Sequence, residues 1–285
     1  MTVFTLSAPD LDDLTLARTD GWVVRRFDWV PGPPRSVTYQ PPQRSGMVNR
    51  TQFADDGTVT FALRLEPGFG AFQSRIDRLQ AFTQPDVRPT LTVDYEDGSL
   101  PRRTVLADGV VTSPMERPTH RDAVAQWSAP DGIFESVAQQ QVIIRAAPSD
   151  SSVIGLSFPV VFPIAWPAAP VVGAGLVTNI GNTIAYPILR LRGPMSDRIE
   201  IIHVERDRSI VLDGFTIPAG SYVDIDTRTK RILANSDPSE SRRQYLVYPD
   251  TSWWSLSRGA QRVRLVVETF DSPAQVEVLW HHAYR

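Results

Sequence analysis

From Asn179 to Asp226 the chain cannot hold a long helix, and that stretch constrains everything around it. Leu189 and Leu191 alternate with Ile188, Arg190 and Arg192, and Val223 and Ile225 alternate with Tyr222, Asp224 and Asp226. A period of two is the pattern of a half-buried strand. Turn residues interrupt these runs every few positions: Gly181-Asn182, Gly193-Pro194, Asp213-Gly214 and Pro218-Ala219-Gly220. Each supplies a fixed or positive φ that reverses the chain. Antiparallel sheet is the expected result. The 24 prolines in 285 residues extend the same expectation to the rest of the sequence, since proline suits loops and sheet edges and breaks helices.

Earlier in the chain the same signs recur. Trp22–Val30 is a strand candidate closed by Pro31-Gly32-Pro33-Pro34, and residues 31–46, poor in apolar side chains, read as an exposed excursion. Val59, Phe61, Leu63 and Leu65 share one strand face. Phe72, Arg75, Ile76, Leu79 and Phe82 recur at spacings of three and four, which predicts the one good helix, ended before Pro85. Leu91–Tyr95, Arg102–Leu106 and Ala123–Trp127 follow as strands, so the first half is expected to be a meander or barrel with one helix packed on it. Ala146–Ser152 is small and polar and reads as a linker. The expected domains are therefore 1–148 and 149–285. Phe158–Pro167 alternates apolar residues with prolines and belongs on an edge or in an extended arm. At least seven strand candidates beyond it call for a two-sheet sandwich.

Composition excludes several classes. There are no cysteines, hence no disulfide framework, cysteine-ligated zinc or thiolate nucleophile. A net charge of −3 argues against a general nucleic-acid coat, and 28 of the 29 basic residues are arginine, with Lys230 the exception, a bias that a GC-rich genome would produce. No run of about 18 apolar residues occurs to span a bilayer, and the opening MTVFTLSAPDLDD has no signal-like core. Neither membrane nor specific nucleic acid is expected as a partner.

A family resemblance rests on ordered pieces. Gly181-Asn182, then Tyr186-Pro187 leading a strand, Gly193-Pro194, the hairpin from Ala219-Gly220 to Ile225-Asp226-Thr227, and finally Ser252-Trp253-Trp254-Ser255-Leu256 with Gly259 resemble the C-terminal domain of distal tail proteins of long-tailed bacteriophages. The first half is similar to the family in layout, with no sharp motif. The resemblance implies an N-terminal ring-forming β domain with one helix and a C-terminal galectin-like antiparallel sandwich. It implies a structural virion protein, a hub at the phage tail tip assembled in the host cytoplasm. The partners implied are other copies of the chain in a ring expected to be a hexamer, the tail tube protein, tail-tip, baseplate hub or fibre proteins, and the tape measure protein.

Candidate chemistry is sparse. Gly173-Ala174-Gly175 lacks the third glycine of a dinucleotide loop, because Thr178 stands there. His281 and His282 are adjacent, so on a strand they face apart and do not chelate one ion; His282 beside Val278 and Trp280 reads as packing. Asp224 and Asp226 share a strand face at roughly 7 Å, a spacing open to a glycosidase pair, but solvation of an outer face is the favoured reading. Trp253 and Trp254 point to opposite faces, so one should fill the core. Asn49-Arg50-Thr51 matches a glycosylation sequon by chance. No catalytic, cofactor-binding or metal residues are assigned, and no cofactor or enzymatic activity is expected. Two rivals to the hub remain: a carbohydrate-binding or receptor-binding minor tail protein using Trp253, Trp254 or Tyr222, and a glycoside hydrolase resting on Asp224 and Asp226.

Overall fold

The computed structural model describes residues 2–32, 35–39, 48–53, 56–117, 119–148 and 173–285. It divides into two compact units, one of residues 1–138 with Tyr284 and Arg285, the other Gln139–Ala283. The chain therefore passes between units twice, and its last two residues belong to the unit in which it began.

The first unit runs β1 (Val3–Ala8), β2 (Leu11–Leu16), β3 (Trp22–Val30), β4 (Arg35–Tyr39), β5 (Val48–Phe53), β6 (Gly57–Leu65), α1 (Phe72–Ala81), β7 (Thr90–Asp94), β8 (Arg102–Val105), β9 (Ala107–Arg117), β10 (His120–Ala129) and β11 (Phe134–Ser136). One sheet has the order β2-β1-β7-β8-β11 and takes in the chain's last strand; a second has the order β3-β6-β10-β9. Of the sheet-or-barrel expectation, the sheet is what forms, and among the described residues no barrel closes. The alternation in β6 works as expected, with Val59, Phe61, Leu63 and Leu65 all buried in a core shared with Phe4, Leu6, Trp22 and Trp127. Helix α1 lays Ile76 and Leu79 on that core. Arg75 is buried beside them. Its guanidinium donates to the carbonyls of Gly21 (2.9 Å) and Glu66 (2.6 Å), and burial lowers its pKa. The expected excursion at 31–46 contains a strand: Val37, Thr38 and Tyr39 are good strand formers, and β4 pairs with β5. Residues 33–34 and 40–46 of that stretch lie outside the described residues.

The second unit runs β12 (Gln140–Arg145), β13 (Ala147–Pro148), β14 (Ala174–Asn179), β15 (Ile188–Arg192), β16 (Met195–His203), β17 (Arg208–Leu212), β18 (Tyr222–Asp226), β19 (Arg231–Ala234), β20 (Gly259–Phe270) and β21 (Gln275–Trp280), and a final short strand, β22 (Ala283–Tyr284), returns the chain to the first unit's sheet. Its sheets have the orders β12-β21-β15-β18-β19 and β13-β20-β16-β17, with β14 also on β20. The inward residues, including Leu189, Leu191, Val223, Ile225, Ile201, Leu265 and Val278, are fully or almost fully buried, which makes a two-layer sandwich. Residues 139–148, expected in the first domain, sit in this unit because β12 pairs along its whole length with β21. The proline-rich arm at 158–167 and most of the expected linker lie outside the described residues.

Candidate functional site

Several of the pieces that carried the resemblance, those around Gly181, Pro187, Thr227, Leu256 and Gly259, lie far apart in sequence and meet at one corner of the sandwich, whereas Gly193-Pro194 and Ala219-Gly220 meet each other at the other ends of β15 and β18. Asn179, with no solvent exposure, ends β14 opposite Gly259 on β20. Its amide nitrogen donates to the carbonyls of Thr183 (2.8 Å) and Leu256 (3.4 Å), and its oxygen accepts from Gly181 N–H (3.0 Å). Gly181 has to be glycine, since a Cβ there would stand 1.9 Å from the Ala283 carbonyl oxygen. Ala185 and Leu256 exchange backbone hydrogen bonds at 2.8 Å each, and the Thr227 hydroxyl donates to the Pro187 carbonyl at 2.7 Å. The side chains of Asn179 and Thr227 are spent on main-chain partners. That is chemistry for holding a corner.

The tryptophan pair divides as its alternation requires. Trp254 is buried edge-on against His203, with ring centroids 5.3 Å apart, whereas Trp253 is only half-buried. His203 is itself fully buried. Gln261 donates its amide to Ser257 O and accepts Ser257 N–H on Oε1, so the 2.6 Å contact from His203 Nε2 to that oxygen assigns the imidazole proton to Nε2. A sugar ring has no access to the Trp254 face.

Asp224 and Asp226 share the outer face as expected, but neither is free. Arg190, directly across from Asp224 on β15, donates Nε and Nη2 to its two carboxylate oxygens at 2.7 and 3.0 Å, and Ser236 adds a third bond. The carboxylate raises the Arg190 pKa through that hydrogen bond. Asp226 accepts from the backbone of Arg228 and Thr229 and from the Thr229 hydroxyl, which closes a turn. The expectation of solvated carboxylates is corrected accordingly: Asp224 keeps only 14% of its side chain exposed because its partner lies 34 residues upstream, beyond any local pattern. The guanidiniums of Arg190 and Arg192 lie 4.5 and 5.4 Å from the Tyr222 centroid, so the ring is already engaged in cation–π contacts. Arg192 is itself paired with Glu277.

His282 is buried, accepts Ile180 N–H on Nδ1 at 3.3 Å and stands near the Trp280 ring. Burial, and then the neighbouring His281, lower its pKa. Gly175 lies in strand β14 against Ile144 and Val142, and its neighbour Gly173 accepts from Leu265 N–H, so this is strand and not a phosphate loop. Sequence reasoning missed strand β9 altogether. The signal was there: Val110 and Val111 lead to Pro114, and a proline in a strand run marks an edge.

Among the described residues, a first unit of a six-stranded sheet, a four-stranded sheet, the β4–β5 pair and one α-helix, joined to a unit built as a sandwich, makes a mainly β architecture. It is the fold of the Dit protein of SPP1, described as a paradigm of hub adsorption apparatus in phages that infect Gram-positive bacteria: the two align with a TM-score of 0.63 at 11% identity, over 99% of this chain and 100% of that one. A chain of the phage p2 baseplate in its activated conformation with Ca aligns over 98% of both chains at 11% identity with a TM-score of 0.41, and a determination with Sr gives the same values. No protein-family profile and no curated protein sequence matches the chain. The expected resemblance to distal tail proteins is met at the level of the fold.

Proposed function

We propose that this chain is a structural hub of a phage tail, a closed ring joining the tail tube to the tail-tip or baseplate proteins, without catalysis. The observation that carries the reading is the likeness of fold to a hub protein over the whole of both chains, which includes the first unit as well as the sandwich. The geometry of the corner supports it, because the motif residues are committed to main-chain partners. In this reading the first unit builds the ring through heterologous contacts that close by rotation. The ring is a homohexamer located at the virion tail tip, with the tape measure protein as a further neighbour.

Light scattering of the purified chain across a concentration range, paired with electron micrographs, tests it. Closed rings of one stoichiometry are expected. A monomeric mass up to high concentration together with release of glycan from host cell walls would replace the hub with an enzyme.

A further inference from the structure

Helix α1 carries Arg75 and Arg78 three residues apart, on one face, and both reach the chain ahead of β3 without meeting a carboxylate. Arg75 is only 9% exposed. Its Nη1 and Nη2 each give one N–H to a carbonyl, of Gly21 and Glu66, and each keeps a second. Its Nε is sealed from water and donates to nothing among the described residues. Arg78 is exposed and gives a single bond, from Nη2 to the Asp13 carbonyl at 2.7 Å. Buried cations are ordinarily paired, so Arg75 marks a place where a counter-charge is missing.

A cavity of about 390 Å³ lies against both arginines, and Thr15, Thr19, Trp22 and Phe69 line it with them. That volume falls in the range of small-ligand sites, roughly 300–1,000 Å³. Phe69 is 46% exposed, a large apolar ring left on the wall of a polar cavity. Gly21 allows ring and cation to share that wall: a Cβ there would stand 2.5 Å from Arg75 Nη1 and 2.6 Å from Phe69 Cγ. Asp13 and Asp20 also line the cavity, so its charges are even in number. Burial separates them. Both aspartates are exposed to screening water, whereas Arg75 is buried, where a charge acts most strongly. The unmet charge at depth is positive, and the rings beside it call for apolar surface.

We propose that this cavity binds a carboxylate carried on an apolar group. The carboxylate accepts from Arg78, from the spare N–H groups of Arg75 and from the hydroxyls of Thr15 and Thr19, and the apolar part lies against Phe69 and Trp22. A free aryl acid and an acidic side chain next to an aromatic one in a protein segment share this chemistry. Assembly of the chain into a ring is not required for either.

Ligand-observed NMR titrations of the purified full chain test the site with 3-phenylpropionate as the free acid and acetyl-Glu-Phe-amide as the segment. Their neutral matches are 3-phenylpropionamide and acetyl-Gln-Phe-amide. One or both acids should bind at least about tenfold more tightly than the matching amide, and a response from one acid alone names the source. Arg78→Gln, at an exposed position, should weaken acid binding at least about tenfold with Tm unchanged. Arg75→Met should abolish binding; where that variant does not fold, Arg78→Gln and the neutral probes still decide. Acids and amides that bind alike, no binding by any probe, or an unaltered affinity in Arg78→Gln would each overturn the proposal. Displacement of the acids by equimolar inorganic phosphate would overturn it too, since the rings would then select nothing.

Discussion

Some of the sheet edges in the two units are finished differently. In the first, β3 and β9 are left uncovered by any described residue. In the second, β19 is closed by residues 240–242, through Ala234 N–H to Glu240 O and Arg242 N–H to Ile232 O, and β17 is closed by residues 245–252, through Val247 N–H to Val211 O and Ser252 N–H to Ser209 O. One long irregular stretch thus seals two edges that lie in different sheets. A sheet whose edges are capped by its own chain is finished; one with long, oppositely directed open edges can be continued.

If the second unit is self-contained, where it begins decides whether it folds alone. The compositional boundary lies at 148/149 and the division by contacts at 138/139, and the two differ in two strands, β12 and the two-residue β13. A fragment of residues 139–283 should unfold cooperatively, whereas 149–285 should lack a sharp transition, because removing β12 strips six paired residues from β21 and uncovers the core around Ile144. Circular dichroism melts of both fragments check this. Equal cooperativity in the two would return the boundary to 148/149.

A smaller effect separates the sealed corner from its surface. Trp254→Ala leaves a cavity beside His203 and should cost about 3–5 kcal/mol. Trp253→Ala, at a half-buried site, should cost about 1 kcal/mol or less. Urea titrations of the two variants give the ratio, and similar losses would mean the corner does not depend on which tryptophan faces in.

How much of this was legible in sequence follows the range of the interactions. The alternation of Val59–Leu65 and Leu189–Arg192 and the helical spacing of Phe72–Phe82 are local, so they predicted β6, β15 and α1 directly. The corner was legible only as a spaced motif: the letters around Asn179 and Trp254 were visible, but not that Asn179 would bond to Leu256 O, 77 residues on. The boundary was put at 148/149 and β12 went unread, because what holds it in the second unit is its pairing with β21, more than a hundred residues away. The Arg190–Asp224 pair failed for the same reason. Openness of an edge is a property of the whole sheet order, and only the topology shows it.

The smallest effect is a difference in acid response between the units. In the second, burial lowers the pKa of His282, so the folded chain refuses a proton that the unfolded chain accepts. The sign follows: this group's contribution is fully present above the ordinary histidine value of 6.5 and is lost as pH falls from there toward the folded-state value. Protonation would also cost the acceptor that Nδ1 offers to Ile180 N–H. In the first unit, the hydrogen bond from Arg64 lowers the pKa of Asp122, so that contribution survives through this window and is lost only in more acidic solution, below the ordinary carboxylate value. Asp122 is a third exposed, so water screens the pair and its share is a few tenths of a kcal/mol. Between pH 7 and 5 the second unit should therefore weaken while the first does not, with a slope from His282 of at most about 1.4 kcal/mol per pH unit. Melting curves of wild type and His282→Gln across that range isolate the term. The variant should show the shallower pH dependence, its amide oxygen keeping an acceptor for Ile180; parallel curves would assign the acid response to other groups and remove His282 from the account of the corner.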